Sequence, residues 1–370
     1  MPLERFLLHS ASLRLPRPRR DALAAVSLVA VAALALTGCS SGSGGSAAEG
    51  EAGTLRVVTT TTQLTDFAAQ IGGDEVNLTG LLTAGASAHH FDPSPADLLE
   101  LGRADVLIVN GVDLETFIDS AVESSGFDGT IIVAAEGIDL HEAEEITAEG
   151  LSGDHDHAAE SAETTDTAEP AEESHEGHDH GDINPHLWTS PQYAADMVNQ
   201  IAEDLAAADP ERAELFTENA AVYTERLHAL DEWIAAQFAR VPEADRVLVS
   251  GHDSLRYYLH DYDIAFAGSI LPSFEDNAEP SAAQIDELVA SIKENGVKAV
   301  FVESSMSPKL AQTIAQEAGV TVVDEESLYA DSLGAPGSGA ETYIDATIHN
   351  TRVILEAWGV TPDELPSELQ

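Results

Sequence analysis

Apolar residues in this chain follow two rhythms. Short, nearly continuous β-branched runs alternate with longer stretches in which apolar positions recur at helical spacing. Residues 55–60 (Leu-Arg-Val-Val-Thr-Thr) read as a buried parallel strand. An amphipathic helix follows through Phe67, Ala68 and Ile71 and stops at Gly72-Gly73. Residues 76–81 form a second strand, after which Ser94, Pro95 and Asp97 open a helix as N-cap, first-turn proline and N3 acid. Strands at 106–109 and 130–133 flank a helix at 114–124. The same rhythm returns later: strands at 246–250, 263–267, 298–302 and 320–323, a helix through Ile285, Leu288, Val289 and Ile292 (capped by Ser281 and Gln284), and helices at 307–318 and 342–358. Such alternation predicts an α/β fold in two lobes, each with a mostly parallel sheet.

Between the halves lie two helices, 191–208 and 211–239. In the second, Leu215, Val222, Leu227, Leu230, Ile234 and Phe238 broadly follow helical periodicity. At about 29 residues it spans roughly 44 Å, which suits a stiff connector rather than a hinge. The expected organisation is an N-terminal lobe at 54–209, a connecting helix at 210–241, a C-terminal lobe at 242–362 and a tail at 363–370.

Two segments stand outside these rhythms. The first is N-terminal: Arg14, Arg17, Arg19 and Arg20 precede an apolar run at 22–36 that is too short for a comfortable membrane span and fits a secretory signal over residues 1–38. Its end, Leu36-Thr37-Gly38-Cys39, resembles a bacterial lipobox. Cys39 is the single cysteine, so no internal disulfide is possible, and lipidation there would anchor the protein to a membrane. Residues 39–53 then form a Gly/Ser/Ala tether with a reach of roughly 20 Å. The second segment, 153–182, holds His155, His157, His175, His178 and His180 with eleven acids and no lysine or arginine. That composition cannot build a core and predicts a disordered insertion suited to weak, auxiliary metal capture.

The chain of 370 residues carries 16 basic against 66 acidic residues, a formal net charge of −50. A phosphate backbone would be repelled, so nucleic acid is excluded as a partner, whereas cations would be concentrated near the surface. Metal-competent residues outside the His-rich run fall at strand ends and connecting loops: His89 or its neighbour His90, His186 in Asp182-Ile183-Asn184-Pro185-His186-Leu187-Trp188, His252 after the strand at 246–250, and Asp331 after the strand at 320–323. Three imidazoles and a carboxylate suit tetrahedral zinc. No two of them have helix spacing, so only the joint pattern is informative.

Four motifs carry a resemblance. Residues 88–97 (Ala-His-His-Phe-Asp-Pro-Ser-Pro-Ala-Asp) resemble the Pro-His-x-Tyr/Phe-x-Pro-x-Pro-x-Asp segment of the metal-binding receptors of ABC importers. Asn184-Pro185-His186-Leu187-Trp188 is similar to their Asp/Asn-Pro-His-x-Trp motif. Ser250-Gly251-His252-Asp253 and Tyr329-Ala330-Asp331-Ser332-Leu333 resemble their two later ligand segments. Ala88 stands where the family usually has proline. The resemblance covers residues 55–358 and is strongest to the zinc receptors, which carry a His/acid-rich loop before the second ligand. It implies two α/β lobes joined by one long helix, and His89, His186, His252 and Asp331 as the ligands of a Zn2+ cargo. It also implies an extracytoplasmic, lipid-anchored and monomeric protein that serves an ABC importer's membrane permease and is not an enzyme. A manganese receptor, which in this family typically has glutamate where His252 stands, a metal-dependent adhesin and a secreted zinc hydrolase are the alternatives. For the hydrolase, Glu303 is the nearest candidate base.

Overall fold

In the computed structural model, residues 53–152, 183–273 and 279–370 are described. The signal sequence, Cys39 and its tether, and the five histidines His155, His157, His175, His178 and His180 lie outside them. Strands β1 (Leu55–Thr59), β2 (Val76–Gly80), β3 (Val106–Val109) and β4 (Thr130–Val133) form a parallel sheet in the order β2-β1-β3-β4. Strands β5 (Val247–Ser250), β6 (Ala265–Ser269), β7 (Ala299–Glu303) and β8 (Thr321–Leu328) form a second one, β6-β5-β7-β8. All four residues of β3 and all five of β7 are buried, as expected for strands covered on both faces.

The helices of the first lobe are α1 (Thr62–Gly72), α2 (Pro95–Leu101), α3 (Ile118–Ser125) and α4 (Leu140–Ser152). Two long helices, α5 (Pro191–Ala208) and α6 (Ala213–Phe238), come next. The second lobe adds α7 (Arg256–Asp261), α8 (Ala282–Glu294), α9 (Pro308–Ala318) and α10 (Tyr343–Ala357). Side-chain caps set several starts. Ser94 with Asp97, and Ser281 with Gln284, close complete capping boxes, and Ser190 caps α5 ahead of Pro191. No helix among the described residues is long and apolar enough to cross a membrane.

The structure shifts several expected elements. The strand expected at 263–267 begins at Ala265, because Asp263 adopts φ 51° in the turn after α7. Helices α4 and α7 were not expected from the sequence. In α6 the inward register is carried by Phe216, Ala220, Tyr223, Leu227, Leu230 and Ile234. Val222, expected on that face, is 62% exposed. Tyr223 displaces it: its ring packs 6.3 Å from Phe67 while its hydroxyl donates to Asp66 Oδ2 at 3.1 Å. The other end of α6 packs Phe238 against Tyr258, Tyr262 and Trp358. A single helix of about 39 Å thus touches the cores beneath both sheets. The last residues lie along it, with Leu369 buried and the Glu368 carbonyl accepting from Arg226.

In both sheets the chain reverses its direction of strand addition beside the first strand, between β1 and β3 and between β5 and β7. Crevices at the carboxyl ends of strands open at such switch points, and the two crevices face one shared cleft.

Candidate metal centre

Each candidate side chain reaches the cleft from a different connection. His89 lies in the loop from β2 to α2, and His186 sits one residue before a 3-10 turn, Leu187–Thr189, that feeds α5. His252 follows β5, and Asp331 follows β8. One ligand atom from each lies within 4.8 Å of all the others. His186 Nε2 is 3.1 Å from His89 Nε2 and 3.3 Å from His252 Nε2. Asp331 Oδ1 is 3.4 Å from His186 Nε2 and 3.2 Å from His252 Nε2. His186 and His252 are fully buried, Asp331 is 1% exposed and His89 is half-buried. His90, the alternative to His89, is exposed and outside this cluster.

Neighbouring groups decide which ring nitrogens face inward. Asn184 Oδ1 accepts from the His186 backbone N–H at 3.1 Å and from its Nδ1 at 2.7 Å. The amide's other end donates to the Asp253 carbonyl at 2.6 Å, so its orientation is set. A carbonyl oxygen only accepts, hence Nδ1 carries the hydrogen and Nε2 presents its lone pair to the cleft. Beside His252 stands Glu303, whose Oε2 lies 3.0 Å from Nδ1, close enough for charge attraction, although Nδ1 makes no hydrogen bond of good geometry. Glu303 is itself buried and accepts from the His252 backbone N–H and from Ser254 Oγ, each at 2.9 Å. The crowding explains Gly251: a Cβ there would press into Glu303 Oε1 and Met306 Sδ. Glu303 is therefore on the far side of the His252 ring from the convergent nitrogens, which takes away the base that a hydrolase would need.

The site's electrostatics are asymmetric. Burial pushes His186 down to about 3, assisted by the neighbouring His252 and His89 rings and only partly opposed by Asp331. Burial also works against charge on His252, but Asp331 and Glu303 outweigh it and raise His252 well above its ordinary value. Burial opposes ionisation of Asp331 too, yet His252 and His186 hold its carboxyl well below the usual range. The Asp331 Oδ1 atom is buried without a hydrogen-bond donor, which is costly unless a cation answers it.

The two lobes are tied together around these ligands. The Ala330 carbonyl accepts from Gln63 Nε2 and from Trp188 Nε1, both at 2.9 Å. The Leu333 N–H donates to Thr62 Oγ1 at 2.9 Å, and the Gly85 N–H donates to Ser332 Oγ at 2.8 Å. The Trp188 ring stands edge-on 5.3 Å from His186 and is buried beside it. On the first lobe, Asn110 at the end of β3 donates from Nδ2 to the Pro185 carbonyl at 3.0 Å. Glu115 holds the turn that follows by accepting from the Asn110 and Gly111 N–H groups.

The roles of Glu303 and Gln63 were invisible in the sequence, because nothing local relates a strand end to a ring nitrogen about fifty positions away, or Gln63 to the Ala330 carbonyl. Asn184 had a weak signal in its place two residues before His186. Outer partners of metal-binding histidines typically contribute 10–100-fold to metal affinity. Glu303→Gln is therefore expected to weaken metal binding by about 10–100-fold while leaving the unfolding transition cooperative. Calorimetric titration checks this, and an unchanged affinity would deny Glu303 its orienting role.

Residues 57–357 match the sequence model of the ZnuA family, described as zinc-uptake complex component A, periplasmic. Over 296 residues, 80% of this chain and 86% of the relative, the chain is 30% identical to the manganese-binding lipoprotein MntA of Halalkalibacterium halodurans. It is also 30% identical to the zinc-binding lipoprotein AdcA of Streptococcus pneumoniae, over 72% of this chain and 49% of that longer protein. The solved periplasmic zinc-binding protein TroA of Treponema pallidum superposes with a TM-score of 0.68 at 24% identity, over 83% of this chain and 99% of that one. That last likeness is one of fold.

Proposed function

We propose that this chain, which belongs to the ZnuA family of metal-binding receptors of ABC importers and not to an enzyme family, takes zinc as its cargo at His89, His186, His252 and Asp331. The observation that carries the reading is the donor set: three imidazole nitrogens and one carboxylate oxygen converging in a buried cleft. Imidazole suits zinc, whereas manganese favours carboxylate and water oxygens in higher coordination. The spacing supports it as well. A tetrahedron with metal–ligand bonds of about 2.0–2.1 Å has six edges of about 3.3–3.4 Å; four of the six ligand-atom separations run from 3.1 to 3.4 Å, and all six lie within 4.8 Å. The family implies a permease and its ATPase as the partners that receive the metal. Placement outside the cytoplasm on a lipid at Cys39 belongs to the same proposal, supported by the lipobox-like segment and by relatives named lipoproteins.

Manganese is the second reading, favoured by the name of the relative MntA. Zinc outbinds manganese at most nitrogen and oxygen sites, so the coordination number the cleft imposes is what separates them. Co2+ loaded into the metal-stripped chain is expected to show the strong visible absorption of four-coordination; the weak absorption of six-coordination would favour manganese.

A proton must leave for the metal to enter. Burial keeps His186 neutral near neutral pH, whereas Asp331 and Glu303 outweigh burial and favour the protonated form of His252, which must be deprotonated at Nε2 to coordinate. Affinity therefore rises with pH until His252 is deprotonated. Below that point it falls about ten-fold per pH unit for each displaced proton. The ordinary histidine value places the onset near 6.5; Asp331 and Glu303 move it upward. Titrations in buffers of different ionisation enthalpy are expected to show proton release at pH 7. Zinc binding that is independent of pH between about 5 and 7.5 would contradict the arrangement.

A further inference from the structure

Strand β7 ends at Glu303 and the chain turns at once. The Ser304 N–H donates to the Leu328 carbonyl at 2.9 Å, and the Met306 N–H returns to the Glu303 carbonyl at 3.0 Å. This turn sets Ser305 beside Asp331, where Ser305 Oγ donates to Asp331 Oδ2 at 3.0 Å. The two oxygens of the only carboxylate in the cluster are thereby unequal. Oδ2 already holds a proton donor, while Oδ1 faces the Nε2 atoms of His186 and His252.

We propose that Ser305 is a positioning residue that sets the metal selectivity of the cleft by keeping Asp331 a one-oxygen ligand. This rests on the reading of zinc as cargo. To chelate with both oxygens, the carboxylate must rotate about its terminal torsion, which pulls Oδ2 away from Ser305. With the hydrogen bond in place, the protein supplies three nitrogens and one oxygen, a four-coordinate set that zinc accepts readily. Manganese, which needs more oxygen and a higher coordination number, meets a site that resists supplying the additional carboxylate oxygen. Asn184 and Glu303 orient imidazoles and leave the coordination number alone. Ser305 is the side chain that bonds to the carboxylate, the one donor able to change denticity. It is also only partly buried, so its replacement by alanine removes a hydroxyl without opening a core cavity.

The test uses the metal-stripped full chain, as wild type, Ser305→Ala and Ser305→Thr, titrated with Zn2+ and Mn2+ and loaded with Co2+ as a visible reporter. Four-coordinate cobalt absorbs strongly in the visible and six-coordinate cobalt weakly. The wild type is expected to give the strong band. Ser305→Ala should lower that band and reduce the ratio of zinc to manganese affinity by at least about ten-fold, the smaller end of outer-partner effects. Ser305→Thr keeps the hydroxyl and should restore both. An alanine variant with the wild-type band and ratio, or a threonine variant that behaves like alanine, would overturn the proposal. A weak cobalt band or a preference for manganese in the wild type would instead overturn the zinc reading, and this proposal with it.

Discussion

His186→Ala is expected to lose tight metal binding, with affinity falling about 10²–10³-fold. The magnitude follows from sharing about 10–16 kcal/mol of zinc binding free energy among four ligands and converting one share into a ratio of dissociation constants. His186 is the hub of the cluster, because its Nε2 lies within 3.4 Å of the ligand atoms of His89, His252 and Asp331. The control is His90→Ala, which changes an exposed neighbour of the cluster and should leave zinc affinity and one-to-one tight stoichiometry intact. Metal analysis of the purified variants beside calorimetry reads both. A His186→Ala protein that still binds zinc as tightly as wild type would place the principal site elsewhere, most directly in the His-rich run at 153–182.

The second large effect is on stability. Trp188→Ala should lower the unfolding free energy of the metal-free protein by about 3–5 kcal/mol, the usual cost of removing a buried aromatic. Trp188 is buried, flanks His186 and donates to the Ala330 carbonyl from across the cleft. Trp188→Phe keeps much of the packing but removes that donor and part of the ring, while Gln63 still donates to the same carbonyl. Its cost should be near 1 kcal/mol. Urea unfolding of the two variants distinguishes packing from hydrogen bonding. Equal losses would mean that the inter-lobe bond, and not the ring, supplies the stabilisation. Both variants should also release metal faster, because Ala330 precedes Asp331, one of the four proposed ligands.

Strands such as β3 and β7 were legible because a strand covered on two faces must be apolar along its whole length, whereas the edge strand β4, with Ile131 48% exposed, was legible from its β-branched composition. Residues 106–109 and 130–133 are read from the sequence and found in the structure with the same bounds, as β3 and β4. Helix starts were legible where a side chain caps them, as at Ser94, Ser190 and Ser281. The face of α6 was misread at Val222 because an amphipathic tyrosine one residue on can bury its ring and still satisfy its hydroxyl. Periodicity that counts only aliphatic residues misses that option.

Local composition and periodicity determined the α/β class and the two halves, and the order of four short motifs, through their resemblance to a family, singled out His89, His186, His252 and Asp331. Tertiary structure alone decided that one atom from each meets within 4.8 Å, that Asn184 and Glu303 turn the rings, and that Ser305 occupies one oxygen of Asp331. Strand order makes the difference. Placing β1 beside β3 and β5 beside β7 brings the connections after distant strands to one cleft, and the order in which strands pair is a property of the assembled sheet, not of any single stretch of chain.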